Sequence, residues 1–311
     1  MPLPVILAGP VALGHVQKGE RDGEVLASFQ HSAYVRLGQD DVICLCSARL
    51  RAGPLNVTFE VPEAFFAGLR QGAPVSIRAG NLHVDVRYVI EFGSAVGWQP
   101  PRLPRRAEWC PLENGFDLLA GRLHNHQLTE GLAPLVQGLC SDWKGLRVPS
   151  GGGELGLLRL AVPALGDLLA WLSRASATGD SSPPPVRGLI GLGPGLTPSG
   201  DDVLCGMLVG LHATGQIGLA SRLAEAVMRE AADGTGVISA AHLGCACRGL
   251  GSQALHEALI ALVTCRPEAL DGALDALSRI GHSSGFDGLA GLVACLAVVG
   301  SRGVWVETGQ F

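Results

Sequence analysis

Hydrophobic and polar positions change rhythm about a third of the way along the chain. Val25–Leu37, Asp41–Ala48, Pro54–Val61, Pro74–Ile77 and Leu82–Ile90 are short β-branched or aromatic runs divided by Gly, Asp, Asn and Pro, which predicts strands. Within the last run, Leu82 to Tyr88 alternates cleanly, as in a strand with His83, Asp85 and Arg87 on a wet face. Strands at this spacing predict a small barrel or sandwich. Residues 97–104, rich in proline, read as a linker. Beyond them the period is helical: Leu112–Leu123, Leu132–Leu139, Leu155–Arg174 (interrupted by Pro163), Val203–Leu211, Leu219–Ala232, Leu255–Val263 and Glu268–Ile280. In Glu268–Ile280, the residues Leu270, Ala273, Leu274, Leu277 and Ile280 make one stripe that Gly281 ends. Glu225 and Arg229 are spaced as an i,i+4 pair. Leu289–Val299 is apolar all round and belongs inside a helical core, and 303–307 has the look of a final strand. The expected fold class is α+β, with a strand-rich domain over 1–98 and a mostly helical domain over 99–311.

One segment fits neither rhythm. Gly191-Leu-Gly193-Pro-Gly195-Leu-Thr197-Pro198-Ser199-Gly200-Asp201-Asp202 follows a short apolar run and opens a helix. Thr197 and Pro198 read as N-cap and first helical residue, and Ser199 with Asp202 fits a capping box. Capping leaves the glycines unexplained. A glycine loop feeding a helix N-terminus is a natural anion site, although two aspartates would repel a bare phosphate. Either a cation lies between, Mg²⁺ being the candidate at Asp201 and Asp202, or the aspartates face an N–H group. No Gly-Lys-Ser/Thr follows, and the prolines break the dinucleotide fingerprint.

Two further helix starts carry polar side chains. Thr235 is placed to cap a helix over 236–249, with Ser239 and His242 along the same face. His282-Ser283-Ser284-Gly285-Phe286-Asp287 opens the all-apolar helix; Ser284 with Asp287 fits a capping box, which leaves His282 and Ser283 unexplained. Such N-termini offer unpaired N–H donors and about half a positive charge each. If those near Thr197, Thr235 and Ser283 converge, they hold a small anion without lysine.

Composition narrows the class. The 311 residues carry 23 Lys+Arg against 28 Asp+Glu, so nucleic acid is not an expected partner. Only 16% are charged, which suggests a surface partly covered by other subunits. The N-terminus lacks the basic region of a signal peptide, and the longest apolar stretch, 286–300, is too short for a membrane span, so a cytoplasmic protein without a membrane partner is expected. The nine cysteines show no framework spacing and read as free thiols. Cys44 and Cys46 would share a strand face.

The glycine block 191–202, Thr235-x-x-Ile238-Ser239, and Ile280-Gly-His-Ser-Ser-Gly-Phe-Asp287-Gly-Leu-Ala-Gly291, in that order and spacing, resemble one family. The family was long classed as a domain of unknown function and includes the third subunit of bacterial oxamate carbamoyltransferase of allantoin catabolism. The resemblance implies a subunit working with other carbamoyltransferase subunits on a small anionic substrate. The reaction would join carbamoyl phosphate and oxamate to give oxalurate and phosphate. The Ser-Thr-Arg-Thr loop of the aspartate and ornithine carbamoyltransferases is missing. Under that reading Gly193, Gly195, Thr197, Ser199 and Gly200 take the phosphate, and Asp201 or Asp202 orients an amide or holds Mg²⁺. His282 acts as proton acceptor or carbonyl donor, and Thr235, Ser239 and Ser283 line the pocket. Alternatives are a non-catalytic subunit that stabilises its partners and a small-anion-binding or Mg²⁺-dependent phosphotransferase-like protein.

Overall fold

The computed structural model describes residues 2–61, 65–126, 128–142, 147 and 155–300. It divides into two compact units, Met1–Pro100 and Pro101–Phe311. The fold is α+β, as the change of rhythm predicts.

In the first unit the strands are β1 (Pro2–Ala8), β2 (Arg21–Ser28), β3 (Ser32–Leu37), β4 (Asp41–Ser47), β5 (Asn56–Phe59), β6 (Pro74–Arg78), β7 (Asn81–Val84), β8 (Tyr88–Glu91) and β9 (Val96–Gly97). They run in the order β5-β4-β3-β2-β6-β7-β8-β1, and pairing of β1 with β5 closes an eight-stranded barrel, β9 being an extra strand on β1. Inward positions carry Val35, Leu37, Leu45, Phe59, Ile77, Leu82 and Ile90, all essentially without solvent contact. Two helices, α1 (Pro10–Gln17) and α2 (Phe65–Gly68), belong to this unit.

Two expected strands are each two. Val25–Leu37 turns between Ser28 and Ser32, and Leu82–Ile90 turns at Asp85, whose φ of +52° ends the extended backbone. The alternation therefore breaks there, leaving Val86 94% exposed. Cys44 and Cys46 do share a face, with sulfurs 3.4 Å apart.

The second unit contains α3 (Leu112–Leu123), α4 (Leu135–Asp142), α5 (Leu155–Thr178), α6 (Ser199–Ala213), α7 (Ile217–Gly234), α8 (Val237–Ala246), α9 (Gln253–Val263), α10 (Pro267–Leu277) and α11 (Ser284–Gly300). The α11 residues Leu289, Leu292, Val293 and Leu296 are buried, as their unbroken apolar run requires. By length and composition α5 could cross a bilayer, so 286–300 is not the longest apolar segment; here its Leu165, Leu168, Leu169 and Leu172 pack in the core. Three local expectations are corrected. Arg229 lies 3.7 Å from Glu230 rather than pairing with Glu225. The stripe of α10 ends at Leu277, and Gly281, at φ +58°, lies beyond a further turn. Cys110 and Cys265, expected as free thiols, form a disulfide, tying the start of this unit to the α9–α10 turn. The strand expected at 303–307 lies outside the described residues.

Candidate functional site

The site is set by the crossing of α6 and α11. A Cβ on Gly291 would fall 1.9 Å from the Val203 carbonyl, so the two helices meet backbone to backbone. That contact lies one turn into α6 and about two turns into α11, just past the acidic residues at their N-termini. Asp201 and Asp202 open α6 and Asp287 opens α11.

Neighbouring residues on a helix point about 100° apart, and Asp201 and Asp202 accordingly do different work. Asp201 is 1% exposed. Its Oδ1 accepts the Gly191 N–H at 2.8 Å, and its Oδ2 accepts the Thr235 hydroxyl and, at 2.6 Å, the Ser239 hydroxyl. Gly191 itself has φ +69° and no room for a side chain against the Gly234 carbonyl. Asp201 thus fastens the glycine loop to the α7–α8 junction, and its carboxylate takes the anion's place at the start of α8. Thr235 does not cap that helix: the cap residue is Gly236, and the Thr235 side chain serves Asp201.

Asp202 turns toward α11. Its carboxylate is hydrogen-bonded by Ser284 and Thr197, while its buried Oδ2 has no partner. Burial, and then the Asp287 carboxylate, push the Asp202 carboxyl well above the usual carboxylate range, against those two hydrogen bonds. Asp287 is fully buried. Its Oδ1 accepts the Leu132 N–H at 2.6 Å and its Oδ2 the Ser283 hydroxyl at 2.7 Å. Burial lifts its pKa to about 6, opposed by hydrogen bonds from Ser283, Ser199, Leu132 and Ala133.

Neither expected capping box forms. The cap of α6 is Pro198, without a side-chain bond; Thr197 and Ser284 bond each other at 2.9 Å, and Ser199 reaches Asp287. These side chains join helix to helix instead of closing their own first turns.

The glycine loop supplies the donors. Among the described residues, no protein acceptor meets the N–H of Gly193, Gly195, Leu196, Thr197 or Ser199. Gly193 and Gly195 have φ of +118° and +96°. Gly200 offers nothing here, since it is buried and its N–H donates to the Leu192 carbonyl at 2.9 Å.

His282 stands apart from this cluster. Its side chain is 87% exposed and pairs with Glu130 at 2.7 Å. His242 is buried, which drives its pKa down to about 4 and keeps the ring neutral at pH 7. Among the described residues no group of three or more His, Cys, Asp or Glu is arranged for a metal, and Asp201, bonded through both oxygens, does not join Asp202 as a ligand pair for Mg²⁺. A shallow depression of about 210 Å³ lies elsewhere, around Pro185 and Glu230.

The sequence reading took Asp287 for a cap and passed over Leu132, whose backbone N–H that carboxylate accepts. The available signal was Asp287 itself, a solitary carboxylate in an otherwise apolar helix.

The fold and site define an α+β protein whose helical unit gathers helix starts around buried carboxylates. Residues 189–296 match the family described as "Oxamate carbamoyltransferase subunit AllH". The likeness carried by the three sequence blocks is thereby shown over that span. No curated protein and no solved structure matches the chain.

Proposed function

We propose that the chain is a subunit of an oxamate carbamoyltransferase complex and that the head of α6 and α11 contributes to its active site. The family match supports the first statement. The observation that carries the second is the buried Asp202 Oδ2, an acceptor that folding leaves without a donor in the first turn of the helix that the glycine loop leads into. A buried acceptor left unmade costs about 1–3 kcal/mol, a cost that a ligand N–H would remove.

The chemistry follows from the groups. An amide nitrogen is a poor nucleophile and must lose a proton as it attacks the carbamoyl carbon. The new bond is nitrogen to carbon, the broken one is carbon to phosphate oxygen, and the amide proton ends on phosphate. A carboxylate whose proton affinity is raised by burial is a stronger base than an ordinary aspartate. Asp202 takes that proton and passes it to the departing phosphate, and the loop N–H groups hold the substrate's anionic end. His282, at the surface, has no part in the step.

The test uses the complex copurified with this chain, supplied with carbamoyl phosphate and oxamate. Asp202→Asn should lower oxalurate formation by about 100-fold or more, with unchanged assembly and no loss of melting temperature. Rates within about threefold of wild type would remove the catalytic assignment and leave a subunit that only stabilises its partners.

A further inference from the structure

We propose that Cys110 and Cys265 form a reversible redox switch, a bond that small thiols and disulfides break and remake on the folded chain, and not a permanent bridge. The inference is independent of the transferase reading.

The bond joins the stretch that precedes α3 to the turn after α9, with the two Cα atoms 6.2 Å apart. Cys265 has φ +50°, the left-handed conformation that ends many helices and that glycine adopts most easily. Its N–H donates to the Leu262 carbonyl at 3.4 Å and the Arg266 N–H to the Ala261 carbonyl at 3.0 Å, which completes the helix end. That end closes without a side chain. A cysteine is needed there only for its sulfur.

Breaking the bond leaves little undone. The Cys110 N–H keeps the Val263 carbonyl at 2.8 Å, and the Cys110 sulfur lies 3.6 Å from the Leu262 carbonyl oxygen, an acceptor for its thiol hydrogen. Leu103 and Trp109 pack on the core of the helical unit, and the Trp109 ring N–H donates to the Pro104 carbonyl at 3.1 Å. The reduced chain therefore stays folded, with a looser entry to α3. Both cysteines are only half-buried, open to a small thiol. The other seven are free, Cys44 and Cys46 among them with sulfurs 3.4 Å apart. Fixed bridges belong to oxidising surroundings and free thiols to reducing ones. One bridge among so many thiols fits a bond that comes and goes.

With glutathione as the small thiol, its thiolate attacks one sulfur, which breaks the S–S bond and forms a mixed disulfide. A second glutathione thiolate attacks the glutathione sulfur of that intermediate and releases the protein thiol. The protein gains two electrons and two protons, and one oxidised glutathione leaves; the reverse reaction restores the bond.

The test equilibrates the full chain with reduced and oxidised glutathione at a series of ratios, alkylates it, and reads the cysteines by peptide mass spectrometry alongside circular dichroism. Cys110 and Cys265 should pass together from bridged to alkylated while the helical signal holds, and excess oxidised glutathione should restore the bridge. Amide exchange over residues 105–111 should quicken by about tenfold or more in the reduced form. A bridge that opens only as the chain unfolds, a pair that stays reduced in excess oxidised glutathione, or amide exchange that does not respond overturns the proposal.

Discussion

Gly206 on α6 lies so close to Gly288 on α11 that a Cβ on Gly206 would sit 1.9 Å from the Gly288 carbonyl oxygen. With Gly291 against the Val203 carbonyl, the contact is reciprocal. The spacing of Asp202 from Asp287 is therefore governed by two backbones and not by side-chain packing that could relax.

Gly206→Ala should lower unfolding free energy by about 3 kcal/mol, since overpacking against a backbone carbonyl has no soft side chain to yield. Gly272→Ala on α10 is the control, because nothing lies within 4 Å of that position. It should stabilise by about 0.5–1 kcal/mol through helix propensity. Urea denaturation measures both, and a neutral Gly206→Ala would mean that the helices can separate.

Asp201 and Asp202 should separate by what their loss does. Asp201→Ala removes the acceptor of three hydrogen bonds and should cost about 3 kcal/mol of stability. Asp202→Asn relieves a buried carboxylate without a full set of partners, and its melting temperature should hold or rise.

The Asp287 pKa, lifted from 3.8 to about 6, fixes the sign of a pH effect. A carboxyl whose folded pKa lies above its unfolded value stabilises fully below the unfolded pKa. That contribution is lost as pH rises through the folded one. Between about pH 4 and pH 6.5 wild type should lose about 3 kcal/mol relative to Asp287→Asn, with no further divergence from this group above that window. Denaturation curves of both proteins across this range provide the measurement; a flat difference would show that Asp287 titrates as an ordinary carboxyl.

The Cys110–Cys265 disulfide closes a loop spanning a sequence separation of 155. Chain entropy assigns such a closure about 5 kcal/mol. Cys110→Ser, or reduction with dithiothreitol, should lower the melting temperature of the helical unit, and an unchanged melt would show the bridge to be dispensable.

The sequence exposes some levels of this structure and hides others. α3, α7 and α10 were legible because one apolar face repeats through each. β1 was hidden because Pro2 and Pro4 interrupt its pattern; both lie at the start of the strand, which among the described residues pairs there with β8 alone, so a missing backbone N–H is tolerated. The turn at Asp85 was hidden because apolar and polar residues keep alternating straight through it. At the site, the polar residues at Thr197, Ser199, Thr235 and Ser284 were visible, but their partners were not. A hydroxyl that would cap its own helix has the same spacing as one that reaches a neighbouring helix. Only packing decides, and here it chose the neighbour.

The three hydrogen bonds onto Asp201 have a bearing on biosynthesis. They draw on Gly191, Thr235 and Ser239, so the loop's shape depends on residues that follow Asp201 by 34 and 38 positions. A nascent polypeptide halted before α8 would carry every glycine of the loop and still lack the fastening that aims their N–H groups. Under the proposed reading, ligand recognition at this place is a late event of synthesis, and a fragment ending near residue 230 should have none.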